Sequence, residues 1–185
     1  MNRMSASRYQ KSSSCPLHLR QKKLSSVKTG GYAMGTDNDL VKLYSGRILA
    51  LAADIPNAER LREPMASAKR RSPLCGSTVT VDLDVSNGRV SRFGQDVKAC
   101  ALGQAAAAVL GENILGRTQP EIDLARDQLR AMLKSGGAVP DAPFEGLEVL
   151  IPAVDFKNRH ASILLAFEAA SEAFAAATAQ SSESI

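Results

Sequence analysis

Between Thr78 and Val85 apolar and polar side chains alternate without a break. Val79, Val81, Leu83 and Val85 fall on one side, Thr78, Thr80, Asp82 and Asp84 on the other. A period of two marks a half-buried β-strand, because successive side chains of an extended backbone point to opposite faces. Asn87-Gly88 follows, a residue pair suited to the two positive φ angles of a type I′ turn, so the chain is expected to return as a hairpin from Arg89 to Val97. The return strand alternates poorly around Phe93-Gly94, which predicts a bulge there. Upstream, the basic stretch Met65–Arg71 reads as an edge strand, kept from pairing with other chains by Lys69, Arg70 and Arg71.

Elsewhere the apolar positions recur at helical spacing. Asp39 to about Ala53 predicts a helix with Leu40, Leu43, Ile48 and Leu51 on one face, stopped before Pro56, whose ring and missing N–H end a helix. Ala101–Asn113 carries Leu102, Ala105, Ala106, Val109 and Leu110 in register. Thr118-Gln-Pro-Glu121 forms a capping box with proline in the first turn, where it is tolerated. The helix behind it packs through Ile122, Ala125, Leu129, Met132 and Leu133 and stops at Gly136-Gly137. Gly137–Asp155 reads as a connection with one short apolar stretch, Leu147–Ile151. A last helix is expected to begin near Ser162, a natural N-cap, and to pack Ile163, Ala166, Phe167, Ala170, Phe174 and Ala177. From Thr178 the chain turns polar and is expected to fray. A small antiparallel sheet, hairpin plus edge strand, followed by helices predicts an α+β fold.

Charge changes how the 185 residues divide. The overall balance of +4 and the pI near 9.1 suggest a polyanion partner. Yet residues 1–33 hold seven Lys/Arg and no acid, leaving 16 Lys/Arg against all 19 Asp/Glu in residues 34–185, a net of −3. The basicity belongs to a Ser-rich extension without apolar periodicity, which reads as disordered. The expected organisation is a disordered basic extension over 1–33, a domain over 34–178 and a disordered tail over 179–185. A mildly acidic domain with no Trp, three Tyr and five Phe argues against nucleic acid as the partner. The longest nearly uncharged apolar run, Ala99–Gly111, is short of the ~18–20 residues that span a bilayer, so no membrane role is expected. Three widely spaced cysteines suit a reducing compartment. The expectation is a cytoplasmic protein, or an organellar one if the acid-free leader is a transit peptide.

The chain has no Walker loop, no G-x-G-x-x-G, no H-E-x-x-H and no G-x-S-x-G. What remains is Cys75, Cys100 and the segment Arg159-His160-Ala161-Ser162. Cys75 stands just before the hairpin and Cys100 just after it, and an antiparallel hairpin brings its outer ends together. Cys100 also opens a helix, whose N-terminal partial charge favours a thiolate. With His160 before another helix, two thiolates and an imidazole outline a soft-metal site that lacks a fourth ligand. A plainer reading stands beside it: free cysteine is often a small buried hydrophobe, His160 a satisfied hydrogen-bonder, and Gly76 the relief of a tight turn.

Three segments together resemble the iron–sulfur cluster scaffold family, the NifU N-terminal, IscU and SufU group. They are Leu74-Cys75-Gly76 before a hairpin, Val97-Lys98-Ala99-Cys100-Ala101-Leu102-Gly103-Gln104-Ala105 leading into a helix, and Arg159-His160-Ala161-Ser162-Ile163-Leu164-Leu165 opening the last one. The resemblance covers about Leu40 to Ala177, and the long stretch between Cys100 and Ser162 is more similar to the SufU branch. It implies a family site of three cysteines and one aspartate that binds zinc or a nascent cluster, with a cysteine desulfurase as sulfur donor and iron–sulfur acceptor proteins as recipients. Cys75 and Cys100 match the first two cysteines. Ser77 stands where the aspartate would be, and the third cysteine aligns with Ser162, or with Ala161 in the alternative register.

The resemblance therefore implies a scaffold without bond-making catalysis of its own, binding iron or an Fe–S cluster through Cys75 and Cys100, with zinc a further candidate. From the residues themselves His160 is a further candidate metal ligand, and Ser77 and Ser162 are weaker ones. Two thiolates from each of two copies would supply four ligands to a cluster bridging a homodimer. Two alternatives remain open: a degenerate scaffold-like protein that docks on a desulfurase without metal, and a sulfur carrier acting through Cys100.

Overall fold

Three strands form one antiparallel sheet in the order β1-β2-β3: β1 (Ala66–Arg71), β2 (Thr78–Ser86) and β3 (Arg89–Lys98). The computed structural model describes residues 45–183. The extension expected over 1–33, its boundary at Met34, the start of the helix expected from Asp39 and the last two residues lie outside the described residues. β1 pairs with β2 from Ala66↔Leu83 to Arg71↔Thr78, and β2 with β3 from Thr78↔Lys98 to Ser86↔Arg89. Asn87 (φ 51) and Gly88 (φ 70) take the two positive φ angles of the expected turn.

The bulge is not at Phe93-Gly94. Asp84 pairs with Arg92 and Val85 with Val90, which leaves Ser91 as the unpaired extra residue. Gly94 has a different cause: a Cβ there would stand 2.3 Å from the Glu59 carbonyl oxygen. The chain from Pro56 to Leu61 runs over this face of the sheet, and only a glycine lets its backbone approach so closely. The same segment buries the polar side of β2, which the alternation had suggested would face water. Arg60 forks onto Asp82, with Nε at 2.5 Å and Nη2 at 2.8 Å, and the Leu61 N–H donates at 3.1 Å. Asp82 is fully buried. Burial alone would raise its carboxyl pKa; the hydrogen bonds from Arg60, Ser67 and Leu61, with the guanidinium charge, outweigh burial and hold it below its ordinary value.

The opposite face of the sheet carries the helices. After α1 (Gly46–Ala53) and the strands come α2 (Ala101–Asn113), α3 (Gln119–Ser135), a 3₁₀ segment (Glu145–Ala153) and α4 (Lys157–Glu183). Helix α2 buries Leu102 and every residue from Ala105 to Leu110. Its small side chains let it pack between neighbours on several sides. The expected capping box opens α3, with the Glu121 carboxylate accepting the Thr118 N–H at 2.8 Å, and Gly136 ends it in the left-handed conformation (φ 65). The apolar stretch expected between Leu147 and Ile151 lies within the 3₁₀ segment, anchored by Leu147 and Leu150 and by the edge of Phe144 against Phe167, 5.4 Å between ring centres.

Helix α4 is the central element and packs on β1, β2, α2 and α3. Residues Lys157–Gln180 are long and apolar enough to cross a membrane, but 67% of that window is buried inside the fold, as in a core helix. The helix starts at Lys157, not near Ser162, so Ser162 is not an N-cap. The 3₁₀ segment feeds directly into it, through Phe156 N–H to Ala153 O (3.0 Å) and Arg159 N–H to Phe156 O (2.8 Å). The helix also continues to Glu183, past the point where a tail was expected. Thr178 Oγ1 bonds back to Phe174 O (3.2 Å) and Ala175 O (2.9 Å), so its polarity is satisfied within the helix.

Candidate functional site

Residues 72–77 form the loop that joins β1 to β2. Its ends are tied by Ser72 N–H to Ser77 O (2.8 Å) and Gly76 N–H to Ser72 O (3.1 Å). Gly76 sits at φ 71 with open space where a Cβ would be, so glycine is required there by backbone conformation alone. This holds Cys75 beside the end of β2. On the neighbouring strand Thr78 pairs with Lys98, and two residues later Cys100 takes the N-cap position of α2. The hairpin thus delivers both thiols to one end of the sheet, as its geometry demands.

Helix α4 closes the site. At Gly103 of α2 a Cβ would lie 2.8 Å from Ser162 Oγ and 2.9 Å from Ser162 O. Its absence lets α4 press Ser162 against α2. Four side chains then line up: Cys75 Sγ to Ser77 Oγ at 3.1 Å, Ser77 Oγ to Ser162 Oγ at 3.1 Å, and Ser162 Oγ to Cys100 Sγ at 3.5 Å. The two hydroxyls are buried and the two thiols partly exposed.

Each serine has one hydrogen to give, and this orders the chain. Ser162 donates to Ser77 Oγ, so it accepts from the Cys100 S–H; Ser77, already an acceptor, has its hydrogen free for Cys75 Sγ. Negative charge is therefore best placed on Cys75. Burial pushes that thiol up, but hydrogen bonds from Ser72 and from the Ser77 side chain and backbone, with the Ser162 hydroxyl close by, prevail and lower it to about 7. Ser72 is fully buried, its Oγ has no hydrogen-bond partner of regular geometry, and it lies close enough to act on the Cys75 sulfur. Sequence reasoning missed Ser72. The signal was available in the antiparallel pairing of Arg71 with Thr78, which makes Ser72 and Ser77 the two ends of one loop.

His160 does not join the thiols. Its Nε2 lies 3.1 Å from Ala153 O and 3.0 Å from Val154 O; carbonyls only accept, so this nitrogen carries the proton and is spent on backbone. The reason is the early start of α4: His160 and Ser162 share one helix, and residues two apart point about 200° apart around it. Of the residues weighed for the third position, Ser162 meets the thiols while Ala161 lines a neighbouring groove. Among the described residues no three His, Cys, Asp or Glu side chains gather as a metal-binding group. The expected two-thiolate, one-imidazole centre is not formed.

A solved structure of the N-terminal part of a nitrogen-fixing NifU-like protein from Brucella abortus is similar to this chain. It shares 40% identity over 77% of this chain and 99% of its own length, with a TM-score of 0.74. The fold is also that of an iron–sulfur cluster assembly scaffold protein for the SUF system from Fervidobacterium islandicum, at 18% identity, 72% and 98% coverage and TM-score 0.65. A hypothetical protein shares it at 17% identity, 69% and 96% coverage and TM-score 0.59. No protein-family model and no curated protein matches the chain.

Proposed function

Because this chain belongs to the family of iron–sulfur cluster assembly scaffolds that includes the NifU-like N-terminal domains, we propose that it carries iron or a nascent cluster as cargo on Cys75 and Cys100. The observation that supports this reading is the hydrogen-bonded line Cys75–Ser77–Ser162–Cys100 at the end of the sheet. Thiolates are soft ligands suited to iron in clusters, whereas a neutral serine hydroxyl is a poor one. One chain therefore offers two good ligands. Two copies, each giving Cys75 and Cys100, offer the four that a [2Fe–2S] cluster prefers. In this reading a cysteine desulfurase supplies sulfur, acceptor proteins take the finished cluster, and the chain itself makes no bonds catalytically.

A second reading, sulfur carriage, is favoured by one specific feature. The Cys75 thiol, lowered to about 7, is substantially ionised at neutral pH and can attack a donor persulfide. This moves the carrier role from Cys100, the sequence-based choice, to Cys75.

Anaerobic reconstitution of the full chain with ferrous iron and sulfide tests the main reading. The expected result is one cluster per two chains, a shift to dimer on gel filtration, and loss of both in Cys75→Ser and Cys100→Ser. A cluster on a monomer would rule out the bridging arrangement, and unchanged iron binding in both variants would rule out the ligand assignment. A persulfide found on Cys75 after incubation with a desulfurase and cysteine, without retained iron, would favour sulfur carriage.

A further inference from the structure

Beside the thiol site, a separate groove of about 520 Å³ opens between the end of β1, the last turn of α3 and the first turns of α4. Three cations line it, one from each element: Arg71, Lys134 and Lys157. Among the described residues none of the three has an ion-pair partner. The one carboxylate on the wall, Glu168, is turned to Arg130 at 3.2 Å. The contrast with the next groove along α4 is direct. There Arg70, Arg126 and Arg130 are paired with Glu172, Asp123, Asp127 and Glu168, so their charge is answered within the fold.

Two further features make the first groove more than a cluster of surface lysines. The 27-residue helix α4 begins here at Lys157, adding the partial positive charge of its N-terminus. Leu164 and Leu165 supply an apolar wall for the body of a ligand.

We propose that this groove binds a small soluble polyanion, a molecule carrying two or more carboxylate or phosphate groups, with Arg71, Lys134 and Lys157 holding the charges. The site is distinct from the line of thiols and hydroxyls and does not depend on whether that line carries iron. Three cations converging from three elements favour a compact ligand over an extended acidic peptide, which would need cations arrayed along a surface.

Isothermal titration of the full chain with citrate and, separately, with inorganic phosphate tests the proposal at constant ionic strength. Saturable one-to-one binding is expected for at least one of them, and the tighter of the two identifies the carboxylate or the phosphate class. Lys134→Gln and Lys157→Gln should each weaken that binding about ten-fold, the usual worth of a hydrogen bond to a charged group. Arg47→Gln, which removes a cation paired with Glu148 elsewhere on the surface, should leave it unchanged. Absence of saturable binding overturns the proposal, as does equal weakening by Arg47→Gln. So does a poly-glutamate peptide that binds more tightly than both small anions and depends on the same lysines, which would make the groove a docking surface. None of these outcomes depends on iron content, so failure here is distinguishable from failure of the scaffold reading.

Discussion

Ser162 on α4 donates its hydroxyl hydrogen to Ser77 Oγ across 3.1 Å, joining residues 85 positions apart in the chain. This single bond connects the half of the site carried by the sheet to the half closed by a helix. It also sets the direction of every other hydrogen in the line, so that Cys75 receives and Cys100 gives.

The first prediction concerns Cys75. Its folded-state value of about 7 against an ordinary 9.0 means the native protein binds fewer protons than the unfolded chain between those limits. This contribution to stability is present above pH 9, shrinks as pH falls through the window, and is lost below about 7. Iodoacetamide labelling followed by mass spectrometry should show Cys75 reacting with a midpoint near neutrality. Ser77→Ala should move that midpoint upward and slow labelling at pH 7, because it removes a donor to the thiolate. An unchanged midpoint would contradict the hydrogen-bond account.

A second prediction restores ligands. Ser77→Asp combined with Ser162→Cys places a carboxylate and a third thiolate beside Cys75 and Cys100. The double variant should bind one zinc per chain, measured by competition with a chromophoric chelator, with an affinity at least ten-fold above that of the unaltered chain. Equal affinities would mean that these positions do not converge as the hydrogen bonds require.

Gly103 gives a third. Alanine there brings a methyl group against Ser162 Oγ and Ser162 O, at 2.8 and 2.9 Å, and the second of these is backbone that cannot rotate away. Gly103→Ala should destabilise the fold by about 1–3 kcal/mol in a urea melt, the usual range for overpacking. It should also separate Ser162 from Ser77, raising the midpoint of Cys75 labelling as Ser77→Ala does.

The fourth prediction lies away from the site. Asp82 is buried and its pKa is lowered by the fork from Arg60, so the pair stabilises the fold above the ordinary carboxylate range, and this is lost as pH falls through the depressed folded-state value. Arg60→Ala leaves the carboxylate buried without its partner and should cost about 3 kcal/mol at pH 7. The penalty should shrink in acid, where the carboxyl is neutral in both proteins. Thermal melts at pH 7 and at a series of pH values taken down below the ordinary carboxylate range measure both effects.

The hairpin was readable because its signals are local: strict alternation from Thr78 to Val85 and an Asn-Gly turn need no tertiary information. Once the hairpin was in place, the meeting of Cys75 and Cys100 followed from antiparallel pairing. What escaped depended on parts of the chain without periodicity. Pro56–Leu61 has no pattern, yet it covers the second face of β2, buries Asp82 and explains Gly94. Lys157–His160 are polar and carry no helical signature, so the pattern alone starts α4 near Ser162 and sets His160 beside the thiols. The single extra residue of the bulge, Ser91, looks like any other polar strand position.

The pairing of Thr78 with Lys98 has a last consequence. Because the thiols hang from adjacent strands of one ladder, their spacing belongs to the backbone, which hydrophobic packing and hydrogen bonds maintain by themselves. Small metal-dependent domains unfold when emptied, since ligation supplies their folding energy. A protein built this way keeps its shape with or without the cargo proposed above, so that loading and unloading would be repeatable events on a standing framework.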